Sequence, residues 1–462
     1  MSRPFFPKDR RIHFVGIGGV GMSGIAEVLL NLGYRVSGSD LKETETTRRL
    51  KALKAVIHAG HAASNVRGAQ VVVVSSAVLK DNPEVAEARR RGIPVIPRAE
   101  MLAEIARLKR TITVSGTHGK TTTTSMVSMA LSAAGADPTM IIGGQLKNIG
   151  SNARLGLGEY LVAEADESDG SFLRLSPQVT IVTNIDDDHL DYYGSFANLR
   201  AAFRQHVEKI PFYGAAILCV DDPEVAALAK KVARPQITYG LKRGADWTVE
   251  ALTHSAAGSR FQAVFQGRRE GVVRLRVPGE HNVLNALGAL ACGHFLGFDF
   301  KKLAAGLGEF TGVGRRLERL GEAGGVTFLD DYGHHPTEIL TTLKALTDNF
   351  KYKRLVAIFQ PHRFSRTKML AKKFGPALKG ADFVYVTDIY PAGEAPMPGV
   401  TSKLILDGLK RAGVPAAPLT RTVDVARDLR PGDLVLTIGA GDVWKIGVDL
   451  KRRLSHQSLS PL

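Results

Sequence analysis

Residues 110–122 read Arg-Thr-Ile-Thr-Val-Ser-Gly-Thr-His-Gly-Lys-Thr-Thr, a strand-like run that passes through two glycines into a lysine and two threonines. Gly116, Gly119, Lys120 and Thr121 supply what a triphosphate needs: backbone amides, an ammonium group and a hydroxyl for Mg²⁺. The strict pattern G-x-x-x-x-G-K-[ST] requires glycine at position 114, where this chain has Val114. The stretch therefore predicts a variant phosphate-binding loop between a strand and a helix.

Short Val/Ile-rich runs alternate with helix-like stretches on both sides of this loop, which is typical of parallel sheets covered by helices. The chain has 462 residues, enough for about three domains. We expect an α/β protein with domains at 1–106, 107–312 and 313–462. Within the second domain, residues 235–280 read as short alternating pieces and predict a small antiparallel insertion.

The composition is that of an ordinary globular protein with an excess of positive charge. Lys and Arg total 61 against 45 Asp and Glu, a formal net charge of +16, which suits nucleic acid or small anionic substrates equally. Cys219 and Cys292 lie in apolar runs and are predicted to be buried, so a disulfide framework and a four-thiolate metal site are excluded. With no long apolar stretch, we expect a soluble, cytoplasmic protein.

A second glycine-rich loop opens the chain. Residues 16–21, Gly-Ile-Gly-Gly-Val-Gly, follow a strand-like run and precede a helix-like one, and Asp40 closes the next strand. The pattern matches the dinucleotide fingerprint, but its glycines would let the backbone approach any diphosphate. NAD and a UDP-sugar both remain open as ligands.

Two acidic segments follow later strands, at residues 164–169 (Glu-Ala-Asp-Glu-Ser-Asp) and 184–191 (Asn-Ile-Asp-Asp-Asp-His-Leu-Asp). The carboxyl ends of parallel strands meet at one crevice, so these carboxylates and His189 can reach the phosphates that Lys120 binds. Carboxylate, hydroxyl and imidazole groups around a triphosphate suit Mg²⁺ or Mn²⁺ and not zinc.

Four more polar sets stand at strand ends or element starts: residues 280–286 (Glu-His-Asn-Val-Leu-Asn-Ala), Arg315 and Arg316, residues 330–336 (Asp-Asp-Tyr-Gly-His-His-Pro), and residues 360–367 (Gln-Pro-His-Arg-Phe-Ser-Arg-Thr). Their arginines, tyrosine and histidines could clamp a substrate that carries a carboxylate.

These motifs, taken in order along essentially the whole chain, resemble those of the Mur ligases, and within that family most closely the branch that adds L-alanine to UDP-N-acetylmuramate. The resemblance implies a Rossmann-like N-terminal domain for the UDP-sugar, a central P-loop domain for ATP and Mg²⁺ with Mn²⁺ possible, and a C-terminal Rossmann-like domain for the amino acid. It implies ligation through an acyl phosphate, the first peptide step of peptidoglycan precursor synthesis.

The resemblance also implies roles for individual residues of this chain. The UDP-sugar site would comprise Gly18, Gly19, Gly21 and Met22, with Asp40, Ser75 and Ser76 as weaker members. The ATP site would comprise Gly116, Thr117, His118, Gly119, Lys120, Thr121, Thr122, His281, Asn282, Asn285, Arg316 (or its neighbour Arg315) and Asp331. The metal ligands would be Thr121, Glu164 and His189, and L-alanine would lie at Tyr332, His334, Arg363 and Arg366. Lys120, His189 and His334 would act in catalysis, with His334 either accepting the proton of the amine or positioning it.

One position separates this chain from sibling ligases that carry a carbamylated lysine. The corresponding segment, Asn-Leu-Arg-Ala-Ala-Phe-Arg-Gln-His, places Phe203 there, and Lys209 is too far along the helix to replace it in register. We infer that no carbamate is needed.

Three other classes of protein compete with this interpretation. An NAD-dependent dehydrogenase would explain the first glycine loop but leave the P-loop and both acidic segments unused. A basic nucleic-acid-binding ATPase would use the charge, yet the sequence has no aromatic-rich basic stripe and no DNA-binding signature. Relatives that attach a recycled tripeptide or glutamate share the P-loop. We expect ATP, UDP-N-acetylmuramate and L-alanine as partners, no nucleic acid, no membrane, and a monomer or weak homodimer.

Overall fold

The computed structural model describes residues 7–75, 78–79, 81–146, 148 and 151–457. Across these residues the strands form three sheets with helices between successive strands, which confirms the three-domain α/β fold.

The first sheet is parallel and has the strand order β3-β2-β1-β4-β5. Its strands are β1 (Arg11–Val15), β2 (Arg35–Asp40), β3 (Val56–Ala59), β4 (Ala69–Val74) and β5 (Val95–Pro97), and its helices are α1 (Val20–Asn31), α2 (Glu45–Ala52), α3 (Pro83–Arg90) and α4 (Arg98–Ala106). The helix-like run after the first glycine-rich loop forms α1, and its Ile25, Val28 and Leu29 are buried.

The second sheet has ten described strands in the order β15-β14-β13-β12-β11-β10-β6-β9-β7-β8. They are β6 (Arg110–Ser115), β7 (Thr139–Leu146), β8 (Ser151–Arg154), β9 (Tyr160–Glu164), β10 (Val179–Val182), β11 (Ala215–Cys219), β12 (Gln236–Tyr239), β13 (Trp247–Ser255), β14 (Gly258–Phe265) and β15 (Arg268–Leu275). The associated helices are α5 (Lys120–Ala133), α6 (Leu190–Tyr193), α7 (Phe196–Val207), α8 (Pro223–Ala229), α9 (Glu280–Phe295) and α10 (Phe300–Gly308).

The predicted antiparallel insertion at residues 235–280 is only partly antiparallel, and a second antiparallel pair, β7 with β8, lies outside it. β14 and β15 are antiparallel, but β12, which lies inside the predicted insertion, runs parallel to β11. The short strand Gln236–Tyr239 continues the parallel sheet because Ile237 and Tyr239 pair in register with Ile217 and Cys219. Both cysteines are buried, as predicted.

The third sheet has the order β16-β17-β21-β18-β19-β20, with β16 antiparallel to β17 at one edge and the other described pairs parallel. Its strands are β16 (Glu318–Ala323), β17 (Val326–Asp331), β18 (Arg354–Phe359), β19 (Phe383–Val386), β20 (Ala416–Pro418) and β21 (Asp433–Ile438), and its helices are α11 (Pro336–Asn349), α12 (Phe364–Ala377), α13 (Lys403–Arg411), α14 (Thr422–Asp428) and α15 (Trp444–Gln457).

The chain divides into two compact units. The first comprises residues 1–253, 259–277 and 281–311 and contains the first sheet and most of the second, while the second comprises 254–258, 278–280 and 312–462 and contains the third sheet. Within the described part of the chain, no helix combines the length and apolar character that crossing a membrane would require.

The register of the central strands decides where the site lies. β6 pairs in parallel with β9 on one side and β10 on the other, with Val114 opposite Glu164 and Ser115 opposite Val182. The loops after these three strands therefore start at the same edge of the sheet. They are the P-loop and the two acidic segments.

Candidate functional site

The P-loop runs from the end of β6 to the start of α5 and needs its glycines. Gly116 has φ +132° and Gly119 has φ +82°, a region that residues with a Cβ avoid. A Cβ on Gly116 would lie 2.1 Å from Oγ1 of Thr183. Asn184 holds the loop from the neighbouring strand, because its carbonyl accepts from the Thr117 amide at 3.1 Å and its Oδ1 accepts from the His118 amide at 2.8 Å.

Lys120 begins α5 and points back into the loop. Its Nζ donates to the carbonyls of Gly116 at 2.7 Å and Thr117 at 3.1 Å and to Oε1 of Glu167 at 2.8 Å. Burial disfavours the charged form of Lys120, but the carboxylates of Glu167, Asp166 and Glu164 outweigh it and raise the pKa of this lysine. The loop therefore presents a protonated ammonium group.

Glu164, predicted as a metal ligand, ends β9 beside the second predicted ligand. Its Oε2 accepts from Thr121 Oγ1 at 2.9 Å and from the Gly143 amide at 2.8 Å. Thr121 and Glu164, two of the predicted metal ligands, are therefore in direct contact at the start of α5.

Glu167 is the carboxylate that the sequence reasoning did not single out. Its side chain is 1% exposed, its Oε1 bonds Lys120, and its Oε2 has no hydrogen-bond partner among the described residues. Burial raises the pKa of Glu167 to about 7 against the opposing effect of Lys120. The acidic composition of residues 164–169 indicated such a group, but which of its carboxylates turns inward depends on the loop conformation.

His189, the third predicted metal ligand, adopts φ +58° just before α6. Its Nε2 lies 3.5 Å from Oδ2 of Asp188 and 3.9 Å from Oε1 of Glu167. Hydroxyl, carboxylate and imidazole groups, together with an unpaired buried carboxylate oxygen, form a donor set that fits Mg²⁺ or Mn²⁺.

The residues predicted to lie near adenine begin α9. Asn282 and Asn285 are buried and His281 is half-buried. Asn285 Oδ1 accepts from Thr123 Oγ1 at 3.0 Å and would lie 3.0 Å from a Cβ on Gly119. Asn285 therefore packs directly on the P-loop helix, while Thr122 is buried within that helix.

The glycine-rich loop after β1 is held by the end of β2. The amides of Gly16 and Ile17 both donate to the Ser39 carbonyl at 2.9 Å, and the Gly18 amide donates to Oδ2 of Asp40 at 2.9 Å. Asp40, predicted as a weaker substrate contact, therefore supports the loop. Gly19 is the N-cap of α1.

Other predicted UDP-sugar residues lie in different surroundings. Met22 is 2% exposed and packs in the core. Ser75 is half-buried after β4, and Ser76 lies outside the described residues.

Arg98 is a loop contact that the sequence did not predict. A Cβ on Gly21 would lie 1.9 Å from Nη1 of Arg98, because the guanidinium packs directly against that glycine. Its Nη2 lies 3.5 Å from Oδ2 of Asp166 in the acidic segment after β9. Arg98 thus spans from the glycine-rich loop to the edge of the P-loop site, inside one compact unit.

In the second unit, the two neighbouring arginines differ. Arg315 donates to Oδ2 of Asp330 at 3.1 Å and to the carbonyls of Gly439 at 2.6 Å and Gly441 at 2.8 Å. Arg316 is more exposed, and its Nη1 lies 3.4 Å from Oε1 of Glu338. Arg315 therefore supports the backbone of its own unit, and the choice between Arg315 and Arg316 as the nucleotide contact stays a prediction.

Asp331, which is predicted to contact the nucleotide, is buried, and its carboxylate is already hydrogen-bonded within the protein. Its carboxylate accepts from the amides of Leu317 at 2.7 Å and Gly333 at 2.8 Å and from the Thr342 hydroxyl at 3.2 Å. Burial raises its pKa to about 6. In this structure Asp331 holds the turn that carries Tyr332 and His334.

The residues predicted to bind L-alanine lie around His362. This histidine belongs to the segment 360–367, but no role is predicted for it from the sequence. The His334 ring lies 5.7 Å from Tyr332 and 5.8 Å from His362 between centroids, and Arg366 Nη1 lies 3.3 Å from His362 Nδ1. Burial, reinforced by the guanidinium groups of Arg366 and Arg363, lowers the pKa of His362 to about 4. The neutral imidazole can therefore accept from Arg366.

The segment 388–394 braces this cluster. Tyr390 stacks on His362 at 5.5 Å with an 8° angle, and the Arg363 amide donates to its carbonyl at 2.8 Å. Arg363 has φ +70°, and its Nε is buried with no hydrogen-bond partner among the described residues. Glu394 accepts from the amide of Ser365 at 3.0 Å and from its hydroxyl at 2.5 Å. Tyr390 and Glu394 have no motif spacing from which the sequence could reveal them.

Phe203, at the position of the carbamylated lysine in sibling ligases, lies in the core. It is fully buried and packs edge-on against Phe172 at 5.3 Å, and Lys209 donates to the Leu173 carbonyl. Neither residue offers an amine to the site.

A cavity of about 670 Å³ opens at the other end of the central sheet, among Arg107, Arg110, Glu159, Gln178 and Lys209. It lies where β6 and β9 begin, so it is separate from the P-loop edge. Lys109 in its wall donates to the carbonyls of Gly156 and Gly158, and burial lowers its pKa.

Three family models match the chain in order: Mur ligase family, catalytic domain, at residues 11–110; Mur ligase middle domain, at residues 114–293; and Mur ligase, glutamate ligase domain, at residues 315–441.

Individual proteins are similar over nearly the full length. A UDP-N-acetylmuramate–L-alanine ligase of Geobacter sp. (strain M21) is 53% identical over 454 residues, 97% of this chain and 98% of that protein. The crystal structure of UDP-N-acetylmuramate-alanine ligase from Thermotoga maritima is 33% identical, with a TM-score of 0.82 over 97% of this chain and 100% of that one. A murein peptide ligase from Psychrobacter arcticus shares the fold, with a TM-score of 0.74 at 24% identity over 98% and 100% of the two chains.

Proposed function

The chain belongs to the Mur ligase family, and from this premise we propose that it joins L-alanine to UDP-N-acetylmuramate in an ATP-dependent ligation of peptidoglycan synthesis. About half of its residues are identical to those of ligases with this activity. The dehydrogenase alternative does not account for the three matched domains.

The observation that carries the proposal is the P-loop lysine beside two strand-end carboxylates. Lys120 is protonated and half-buried, Glu164 bonds Thr121, and Glu167 bonds Lys120, all at the edge where β6 and β9 end. A protonated lysine in a P-loop neutralises transferring phosphoryl oxygens, which is the charge that ligation through an acyl phosphate must stabilise.

In the first step, an oxygen of the muramate carboxylate attacks the γ-phosphorus of ATP, and the bond to the β-phosphate oxygen breaks to leave ADP and an acyl phosphate. Lys120 stabilises the charge on the phosphoryl oxygens. Thr121 and Glu164 would hold one Mg²⁺ and His189 a second, and the two ions would supply further charge neutralisation when bound. Arg98, which reaches the glycine-rich loop from the start of α4, would orient the diphosphate of the UDP-sugar.

In the second step, the alanine amine attacks the acyl carbon, and inorganic phosphate leaves from the tetrahedral intermediate. Arg363 and Arg366 would bind the alanine carboxylate, and Arg366 is oriented by neutral His362. His334, near Glu338, would take the proton that the ammonium group must lose before it attacks.

The division of labour follows the predicted limits: residues 1–106 for the UDP-sugar, 107–312 for ATP and Mg²⁺, and 313–462 for the amino acid. We propose a cytoplasmic monomer or weak homodimer that acts without nucleic acid or membrane. The surplus positive charge would then serve anionic substrates only in part.

The test is phosphate release from ATP and UDP-N-acetylmuramate with a panel of amino acids. L-alanine is expected to be the best acceptor, since the site resembles that of alanine-adding relatives; a different best acceptor would contradict the substrate assignment. Lys120→Ala is expected to abolish ligation while UDP-N-acetylmuramate still binds, and exposed Lys231→Ala serves as the matched control. Undiminished ligation by Lys120→Ala would overturn the assignment of the loop.

A further inference from the structure

All the hydrogen-bonding capacity of Lys120 is used before any nucleotide arrives. An ammonium group has three N–H donors. The Nζ of Lys120 makes three bonds, to the carbonyls of Gly116 and Thr117 and to Glu167 Oε1 at 2.8 Å. A phosphate oxygen can therefore be bonded by Lys120 only when one of these bonds breaks.

Glu167 is the partner that a phosphate would compete with most directly, because it alone of the three carries negative charge. Its side chain is 1% exposed and Tyr193 fixes its backbone through a 2.6 Å bond to the Glu167 carbonyl. A buried carboxylate that loses its cation without a replacement is strongly destabilising. The loss of Lys120 must therefore be balanced at Glu167, by a proton or by another cation.

The surroundings of Glu167 are already short of positive charge. Three carboxylates, those of Glu164, Asp166 and Glu167, act on the single ammonium of Lys120. The second oxygen of Glu167 has no hydrogen-bond partner among the described residues, and Oε1 lies 3.9 Å from Nε2 of His189. Oε2 of Glu167 is therefore available to bind a cation, and it belongs to a residue beside the predicted metal ligands.

We propose that Glu167 is an exchangeable counter-ion: it holds Lys120 in the ligand-free protein and passes to the divalent cation that accompanies ATP, which releases Lys120 to the phosphates. The inference rests on the proposed function, because it assumes that ATP binds at this loop. It goes further by making cation binding and lysine release a single exchange. Metal and nucleotide would then bind with positive linkage that depends on Glu167.

The test measures the affinity of the full chain for the fluorescent nucleotide MANT-ATP with and without Mg²⁺. Glu167→Gln keeps the shape of the side chain and an acceptor for Lys120 but removes the charge that competes with phosphate. The variant is expected to bind MANT-ATP about tenfold more tightly than the unmodified protein without Mg²⁺, and the gain in affinity that Mg²⁺ produces should shrink by a similar factor.

Asp169→Asn is the matched control, because it removes a carboxylate from the same segment whose Oδ1 accepts from the Ser171 amide and does not bond Lys120. This variant is expected to keep the linkage of the unmodified protein. As a second readout, Mn²⁺ binding without nucleotide, followed by electron paramagnetic resonance, should weaken in Glu167→Gln and not in Asp169→Asn. If Glu167→Gln does not fold, Glu167→Asp, which withdraws the carboxylate by one methylene, should raise Mg²⁺-free affinity in the same direction.

Two outcomes overturn the inference. Equal loss of MANT-ATP affinity with and without Mg²⁺ in Glu167→Gln would mean that the ion pair only supports the loop, and unchanged affinity in both conditions would mean that Glu167 does not compete with phosphate. Failure of the proposed function gives a different result, since the unmodified protein would then not bind MANT-ATP at all.

Discussion

Arg315 and Arg316 are adjacent in sequence, yet their replacement by alanine is expected to fail in different ways. Arg315→Ala removes a guanidinium that bonds Asp330 and two backbone carbonyls, and Asp330 is 1% exposed. Asp330 would keep only the Thr437 hydroxyl at 2.6 Å. Breaking a buried ion pair from one side costs about 3–5 kcal/mol of folding free energy.

Arg316→Ala removes a contact of a different kind. The Arg316 side chain is 30% exposed, its ion pair with Glu338 is 3.4 Å long, and its guanidinium lies 5.1 Å from the centre of the Tyr332 ring. Such a pair contributes about 0–1 kcal/mol. We therefore expect Arg316→Ala to cost less stability than Arg315→Ala and to raise the KM for ATP, because the proposed function assigns this guanidinium to the nucleotide.

The measurement is urea denaturation followed by tryptophan fluorescence in a Trp247→Phe background. The chain has two tryptophans, so Trp444 at the start of α15 then reports on the second unit alone. With a denaturant slope of roughly 2 kcal/mol per molar urea, a loss of about 4 kcal/mol lowers the midpoint by about 2 M. Arg316→Ala should lower it by less than about 0.5 M.

Arg315→Lys tests the geometry, because lysine keeps the charge beside Asp330 but cannot form the fork to both carbonyls. Its midpoint should fall between those of the unmodified protein and Arg315→Ala. Equal midpoints for Arg315→Ala and Arg316→Ala, or an Arg315→Ala midpoint within about 0.5 M of the unmodified protein, would refute this reasoning.

Three further predictions follow from other parts of the molecule. Gly21→Ala places a Cβ 1.9 Å from Nη1 of Arg98 and should weaken UDP-N-acetylmuramate binding in calorimetry without changing ATP binding; a change in ATP affinity alone would contradict it. Glu394→Ala removes both acceptors of Ser365 and should raise the KM for L-alanine by about tenfold at constant KM for ATP, with partial recovery in Glu394→Gln; equal effects on both substrates would argue for general unfolding. Burial opposes the charged form of Glu84, but the His13 imidazole 3.7 Å away and hydrogen bonds from Ser39 and Asn65 prevail and lower its pKa from 4.5 to about 2. Its contribution to stability is therefore complete above pH 4.5 and lost as the pH falls towards 2, and Glu84→Gln should flatten the stability profile in that window.

The fold could be predicted because its signals are local. Alternation of apolar runs with helical periodicity marks each strand and helix, and Ile25, Val28 and Leu29 are buried as their spacing indicates. Antiparallel and parallel pairing are not local properties, so Gln236–Tyr239 was assigned to the wrong part of the sheet. Strand polarity depends on the path of the chain between strands, which spacing within a strand does not encode.

The sequence predicts which motifs form the site, but it does not predict the contacts that the side chains make there. Lys120, Thr121 and Glu164 lie together because parallel strand ends must meet. Arg98 reaches the glycine-rich loop from α4, at the end of a different crossover, and no spacing in the sequence reports that approach. Tyr390 is likewise brought to His362 by the loop after β19.

A charged residue inside a motif can serve the ligand or the loop, and the distinction changes how loss of activity is interpreted. Asp40 is bonded to the Gly18 amide, Asp331 to the amides of Leu317 and Gly333, and Arg315 to the carbonyls of residues 439–441, so each holds a loop that carries or adjoins predicted site residues. Substitution of such a residue abolishes activity by moving its neighbours, and the loss of function alone would be mistaken for a lost ligand contact. Residues that hold a loop should lose stability and activity together, whereas residues assigned to the ligand, such as Arg316, should lose activity with a smaller loss of stability.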